Sequence, residues 1–268
     1  MNLGIPRVTT FIQSIYRAVK AVLPIKLKET IKRKIWGSSN ATRPVRMAIL
    51  NLLNEIKISI AVRNSSKYLQ VLIDKKNLKV HLGCGGHKKS GWVNIDLSPQ
   101  KEPYWLELTG TFYINYDLRF GLPIEFGIGS CDYIYSAHFF EHLEYHYGLK
   151  LMSDCYRALR PGGIFRMAMP NYKGLFEAYL QENYKYVELI DINKFLTCIE
   201  PGTSTFVDHI NFGVYQNGEH KCIYDEEKLI LILQKIGFSI INESEFKIDV
   251  DPDNELRRCY SFYIEAVK

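Results

Sequence analysis

The chain has 268 residues, 47% hydrophobic and 24% charged, and a formal net charge of +5. That balance fits an ordinary globular core, with length enough for one catalytic domain and an extension. Six cysteines, at 84, 131, 155, 198, 222 and 259, show no C-x-x-C pair or other metal spacing, so no metal ligand set is expected and a reducing cytoplasm suits the chain.

The charge is uneven. Residues 1–50 carry Arg7, Arg17, Lys20, Lys26, Lys28, Lys32, Arg33, Lys34, Arg43 and Arg46 against the single acid Glu29. Phe11, Ile12, Ile15, Tyr16, Val19 and Val22, then Leu27, Ile31, Ile35 and Trp36, recur at near-helical spacing, with Pro24 dividing two short helices and 37–40 a flexible joint. Residues 1–77 therefore read as a basic amphipathic helical extension. Its apolar stripe either packs on the following domain or a second subunit, as in a homo-oligomer, or lies on an anionic membrane surface. In the second case each nearby Lys or Arg contributes about 1 kcal/mol. No recognition motif accompanies the basic face, so nucleic acid is not expected. Met47 to Val62 is apolar but holds Glu55 and Lys57, which argues against a membrane span. A cytoplasmic chain, peripheral to the membrane at most, is the expectation.

The domain proper is expected at 78–268. Val80-His81-Leu82 reads as a buried strand, followed by a glycine turn at Gly83-Cys84-Gly85-Gly86 and a second strand, Trp92 to Asp96. A short apolar run before a glycine loop suits a parallel sheet, whose strands are covered on both faces. Glycines at 83 and 85 allow a sharp turn and a close ligand approach. An aspartate closing the next strand can accept hydrogen bonds from both ribose hydroxyls. The dinucleotide fingerprint needs a third glycine where Lys88 stands, and His87 to Gly91 is too short for a full first helix. A pyrophosphate on a helix N-terminus is therefore poorly supported.

Phe112 to Tyr116 is strand-like and leads to Asp117-Leu118 and Gly121-Leu122-Pro123. Cys131 to Ala137 is another short strand. A helical stretch from Phe139 to Leu159 runs to the breaker Arg160-Pro161-Gly162-Gly163, and Ile164 to Pro170 follows as a further strand. Alternation of this kind predicts a doubly wound, mostly parallel α/β sheet.

The pieces LGCGG at 82–86, GWVNID at 91–96, DLRFGLP at 117–123, D-x-I-x-S-x-H at 132–138, EHL at 141–143 and LRPGG at 159–163, with Tyr224-Asp225 through Lys268, occur in this order. Together they resemble the class I S-adenosylmethionine-dependent methyltransferases, in the group with a short first helix. The resemblance spans roughly 78–268 and implies a Rossmann-like sheet of seven strands, the last antiparallel. It implies S-adenosylmethionine held by Gly83, Cys84 and Gly85 at its methionine part and by Asp96 at its ribose. Asp117 and the Leu118 amide would meet the adenine, with Ser136 and His138 beside the sulfonium. Asp117 as a turn-capping residue is the plainer alternative. A Rossmann-type NAD or nucleotide-sugar enzyme, and a non-catalytic scaffold, are the other readings.

The acceptor is less legible. Methyl transfer is an in-line displacement that rewards orientation, and a base is needed only where the acceptor must lose a proton. His142, beside Glu141, and His138 are the candidate bases; the pair Glu141-His142 otherwise simply pins the following helix. His138 to His142 also spells H-x-x-E-H, a zinc-protease pattern, but the first histidine directly follows a strand. Some ubiquinone-biosynthesis O-methyltransferases bind a divalent ion near a similar segment. They carry an acid where His138 stands, so no metal is assigned. Thr203 to Cys222 reads as a loop without periodicity whose His209, Tyr215 and His220 are candidate acceptor contacts. A small or carbohydrate-like oxygen acceptor is expected, since similar short-helix proteins often accompany cell-surface glycan assembly.

Overall fold

The computed structural model describes residues 47–48, 51–53, 55–56, 58–60, 69–97, 105–108, 111–187, 203–252 and 254–268. The expected amphipathic helices before residue 47, and with them the proposed membrane or subunit contact, lie outside the described residues, as does Cys198. Among the described residues no helix is long and apolar enough to cross a membrane.

Eight strands build one sheet: β1 (Leu78–Leu82), β2 (Val93–Asp96), β3 (Trp105–Leu108), β4 (Thr111–Asn115), β5 (Cys131–Ala137), β6 (Leu159–Pro170), β7 (Ile240–Ser244) and β8 (Ser261–Val267). Their order is β3-β4-β2-β1-β5-β6-β8-β7. Strands β4, β2, β1, β5 and β6 run parallel, and β8 is antiparallel between β6 and β7. This is the expected seven-stranded, mostly parallel sheet with its last strand reversed. One strand is added to it: β3 folds back antiparallel on β4 at the sheet edge. Chain order proceeds outward from β1 through β2 to β4, then crosses to β5 on the other side. The crevice at the carboxyl ends of β1 and β5 is therefore the topological switch point, where open α/β sheets bind ligands.

The helices are α1 (Tyr145–Ala158), α2 (Tyr172–Leu180), α3 (Phe206–Tyr215), α4 (Glu226–Ile236) and α5 (Glu255–Cys259). Helix α1 buries Leu151, Met152, Cys155 and Ala158, and α4 buries Leu229, Ile232 and Leu233. Both share one core with Val80, Leu82, Ile95, Ile134, Phe165 and Met167 of the sheet, and Leu69 and Leu72 join it from just before β1. Asp225 caps α4 by accepting from the Lys228 N–H at 2.8 Å, and Gly237 (φ 118°) ends it in a left-handed turn. The breaker at 160–163 ends α1 as expected, but Leu159 already opens β6, so the Pro-Gly-Gly run lies within that extended segment.

The opposite face of the sheet buries a polar row beside a smaller cluster of Tyr135, Ala137, Ala168 and Tyr263. His81, Asn94, Tyr135 and Arg166 stand in register across it, all buried. The Arg166 guanidinium donates to Asp251, to Glu265 Oε1 at 3.2 Å, to Ser244 Oγ at 3.0 Å and to the Glu245 carbonyl at 2.7 Å. A buried charge needs this degree of pairing. The network staples the segment 245–251 onto the sheet.

Candidate active site

The bend after β1 places Gly83 (φ 62°) and Gly85 (φ 51°) in the left-handed region that glycine enters without strain. Their surroundings differ. A Cβ at 83 would lie 2.3 Å from the Phe139 ring, whereas a Cβ at 85 would meet nothing within 4 Å. Gly83 thus admits an aromatic ring from beyond β5, and Gly85 borders open space. Cys84 between them is buried, and burial followed by the Asp96 charge pushes its thiol up to about 12. It is an unreactive packing group.

Asp96 ends β2 facing this bend. Its carboxylate accepts from the Gly85 N–H and, at 2.6 Å, from the Leu97 N–H. Burial raises its pKa above the ordinary aspartate value, and these two donors oppose that rise. Between Gly83 and Trp92 there are only turns and no helix. The Asn94 side chain holds them, accepting from the Lys89 N–H at 2.8 Å and donating to the Lys89 carbonyl at 2.9 Å.

Asp117 lies at the end of the β4 segment, almost fully buried. It caps the short turn Leu118–Phe120 by accepting from the Arg119 N–H at 3.0 Å. The Arg119 guanidinium also closes on it, at 2.7 Å from Oδ2, while Glu55 holds the same guanidinium from the other side at 3.0 Å. These carboxylates hold the Arg119 pKa above its usual value. The capping alternative describes what Asp117 does here, and Leu118 is buried in the core. Ser136 shares its sheet row with Leu82 and Met167, and its buried hydroxyl has no partner.

Beyond β5 the chain turns sharply. His138 adopts φ 48°, and its N–H donates to the Ala168 carbonyl at 2.9 Å. Its Nε2 lies 2.7 Å from Ser261 Oγ and its Nδ1 3.7 Å from Glu141 Oε1. Phe140–His142 form a single 3-10 turn, so the H-x-x-E-H pattern does not lie on a regular helix as a zinc protease requires. The expected helix from Phe139 accordingly begins only at Tyr145. Glu141 is fully buried, neither carboxyl oxygen has a partner, and burial pushes its pKa up to about 8.

His142 meets His220 edge to face, ring centroids 4.8 Å apart. The Lys221 and Cys222 N–H groups both donate to the Glu141 carbonyl, at 2.7 and 3.2 Å, which fixes the His220 segment against the turn. His220 Nδ1 is 2.9 Å from the Gly213 carbonyl and 3.1 Å from the Tyr172 hydroxyl. Burial holds His138, His142 and His220 below the ordinary histidine value, which favours the neutral imidazole in each.

The other two acceptor candidates fall elsewhere. The segment expected as an aperiodic loop is helix α3, opened by Thr205, whose N–H donates to Asp208 Oδ2 at 2.8 Å. A Thr-x-x-Asp spacing at 205–208 was the available signal for it. His209 packs against Phe206 at 6.2 Å between centroids, and Tyr215 at the helix end is exposed. Of the three, only His220 joins the cluster. Sequence reasoning missed Arg257 on α5. Its charge reaches Glu141, His138 and His142, and its Nη1 is buried without a partner. The basic pair 257–258 before the last strand was a faint signal.

Residues 81–167 match the family model described as "Methyltransferase domain". No curated protein sequence matches the chain significantly. Among solved structures, a SAM-dependent methyltransferase from Archaeoglobus fulgidus is similar at a TM-score of 0.42 and 16% identity, covering 90% of this chain and 99% of that one. An S-adenosylmethionine-dependent methyltransferase from Mesorhizobium loti gives 0.41 and 18%, covering 75% and 96%. Phosphoethanolamine N-methyltransferase 2 of Haemonchus contortus, in complex with S-adenosylmethionine, gives 0.40 and 15%, covering 77% and 52%. The match to a methyltransferase domain over residues 81–167 falls on the core of this Rossmann-like sheet, from β1 into β6.

Proposed function

We propose that the chain methylates an oxygen of a small or carbohydrate-like acceptor, with the acceptor's proton taken at the histidine cluster beyond β5. The observation that carries this reading is His142. It is a half-buried imidazole on the turn that follows the switch-point strand, its ring packed edge to face on His220, and burial favours its neutral form.

The residues suit the cofactor. Asp96 offers a carboxylate at the end of β2, Gly85 borders open space, and the Ser136 hydroxyl is an unpartnered polar group at the end of β5. In this reading Asp96 holds the ribose hydroxyls, Gly83, Cys84 and Gly85 present backbone to the methionine part, and Ser136 and His138 line the floor. Asp117 would reach the adenine only by sharing the carboxylate that Arg119 now engages, with the Leu118 amide beside it. The turn at 83–92 offers no helix N-terminus for a pyrophosphate, which disfavours the NAD and nucleotide-sugar alternatives.

Held by these residues, S-adenosylmethionine would supply a methyl group on a sulfonium, with sulfur as the leaving atom and the acceptor oxygen as the nucleophile. The acceptor hydroxyl proton passes to His142 Nδ1 or Nε2, whichever bears the lone pair. Burial favours the neutral imidazole before the reaction, and the Glu219 side helps to stabilise the imidazolium afterwards. A positioned base of this kind contributes about 10²–10⁴-fold. His138, more deeply buried and bonded to Ser261, is the second candidate.

The carbohydrate assignment, and with it a place in cell-surface glycan assembly, rests on the resemblance to short-helix methyltransferases. The basic segment 1–50 would suit work at the inner membrane face. A methyl-transfer screen of hydroxyl-bearing glycans and small molecules tests the reading. Labelled methyl appearing in a base-stable ether supports it; transfer only to amines or thiols would overturn it.

A further inference from the structure

We propose that Glu141, His142 and His220 form a binding site for a divalent first-row metal ion of the zinc type. One ligand atom from each lies within 4.8 Å of the other two. In a tetrahedral site with bonds of about 2.0–2.2 Å the ligand atoms stand roughly 3.3–3.6 Å apart. Closure onto an ion therefore asks the ligand atoms to approach by about 1 Å or somewhat more.

Three further features point to a ligand. Glu141 is wholly buried, yet both of its carboxyl oxygens lack a hydrogen-bond partner, and such a group ordinarily finds one. An ion would provide it. The tautomer of His220 is the second feature. Its Nδ1 lies 2.9 Å from the Gly213 carbonyl, which can only accept, so Nδ1 carries the proton and Nε2 keeps the lone pair. An imidazole anchored through its other nitrogen to a backbone carbonyl is the usual outer support of a metal-ligating histidine. Third, the Lys221 and Cys222 N–H groups hold the His220 segment to the Glu141 carbonyl, so two distant parts of the chain are joined where the ligands meet.

Two imidazoles and one carboxylate suit zinc and its first-row neighbours rather than magnesium or calcium, which favour all-oxygen shells. Three protein ligands also leave a fourth tetrahedral position open, the arrangement of a catalytic rather than a structural ion. An ion in place takes the His142 lone pair, so metal-loaded and metal-free protein differ in whether that imidazole can accept a proton.

The test is calorimetric titration of zinc chloride into the chelator-stripped full chain, repeated on Glu141→Gln and His220→Ala. Cobalt(II) absorption serves as a second readout of tetrahedral geometry. The expected result is one ion per chain, with affinity falling about tenfold or more in each variant while S-adenosylhomocysteine binding stays unchanged. Absence of zinc binding in the wild type, or wild-type affinity retained in both variants, would overturn the proposal. The isosteric Glu141→Gln change covers the case in which His220→Ala fails to fold. Zinc binding is measured without an acceptor, so its failure leaves the hydroxyl-methylation reading untouched, and the failure of that reading leaves the metal site standing.

Discussion

The backbone N–H of Gly85 donates to the carboxylate of Asp96, tying the bend after β1 to the end of β2 across eleven positions of sequence. The bond gives Asp96 two uses, one in shaping the loop and one in presenting its carboxylate to a ribose. Asp96→Ala should weaken S-adenosylhomocysteine binding by about 10–100-fold, from hydrogen bonds to a charged group at roughly 1.5–3 kcal/mol. Titration calorimetry reads this. An unchanged affinity would leave Asp96 with the loop role alone.

His142→Ala should lower turnover by about 10²–10⁴-fold while S-adenosylhomocysteine affinity holds. Because burial lowers the His142 pKa, the acid limb of kcat/KM in metal-free enzyme should lie below the ordinary histidine value and vanish in the variant. Full turnover in both His142→Ala and His138→Ala would remove the base from the scheme.

Glu141 predicts a pH effect of definite sign. Its pKa rises from an ordinary value of 4.5 in the unfolded chain to about 8 in the fold. The neutral carboxyl is the form the fold prefers, so its contribution is complete below 4.5 and is lost as pH climbs through about 8. In metal-free protein, Glu141→Gln should therefore gain stability relative to wild type between pH 5 and 8, measured by denaturant unfolding across that range. A constant difference across the range would contradict the buried, unpaired carboxyl.

Arg166 has no part in the proposed mechanism, and its removal should show in stability alone. Arg166→Met strips the buried partner from Asp251 and one of the partners from Glu265. The expected loss is about 3–5 kcal/mol, read from urea unfolding, with S-adenosylhomocysteine affinity retained in the folded fraction.

Much of the frame was legible because burial leaves a plain record in residue type. Cys131 to Ala137 is a strand with the bounds expected around its central Tyr133-Ile134-Tyr135, and the missing helix after Gly85 followed from the few residues before Trp92. The edge strand Trp105–Leu108 left a weaker record, since an outermost strand of four residues needs no long apolar run. Helix α3 escaped because its polar residues, Asp208, His209 and Asn211, interrupt the apolar pattern; only the Thr205–Asp208 spacing marked its start. Asp117 shows the other limit. An aspartate at a strand end serves equally as cap or ligand, and the contact from Arg119, two residues on, is one that sequence spacing does not specify. The convergence of His220 on Glu141 and His142, from nearly eighty positions away, depends on tertiary packing alone.

Titration of S-adenosylhomocysteine into the full chain, set against NAD under the same conditions, tests the central claim most directly. The account predicts saturable binding of one S-adenosylhomocysteine per chain and none of NAD. Binding of NAD with no response to S-adenosylhomocysteine would contradict it.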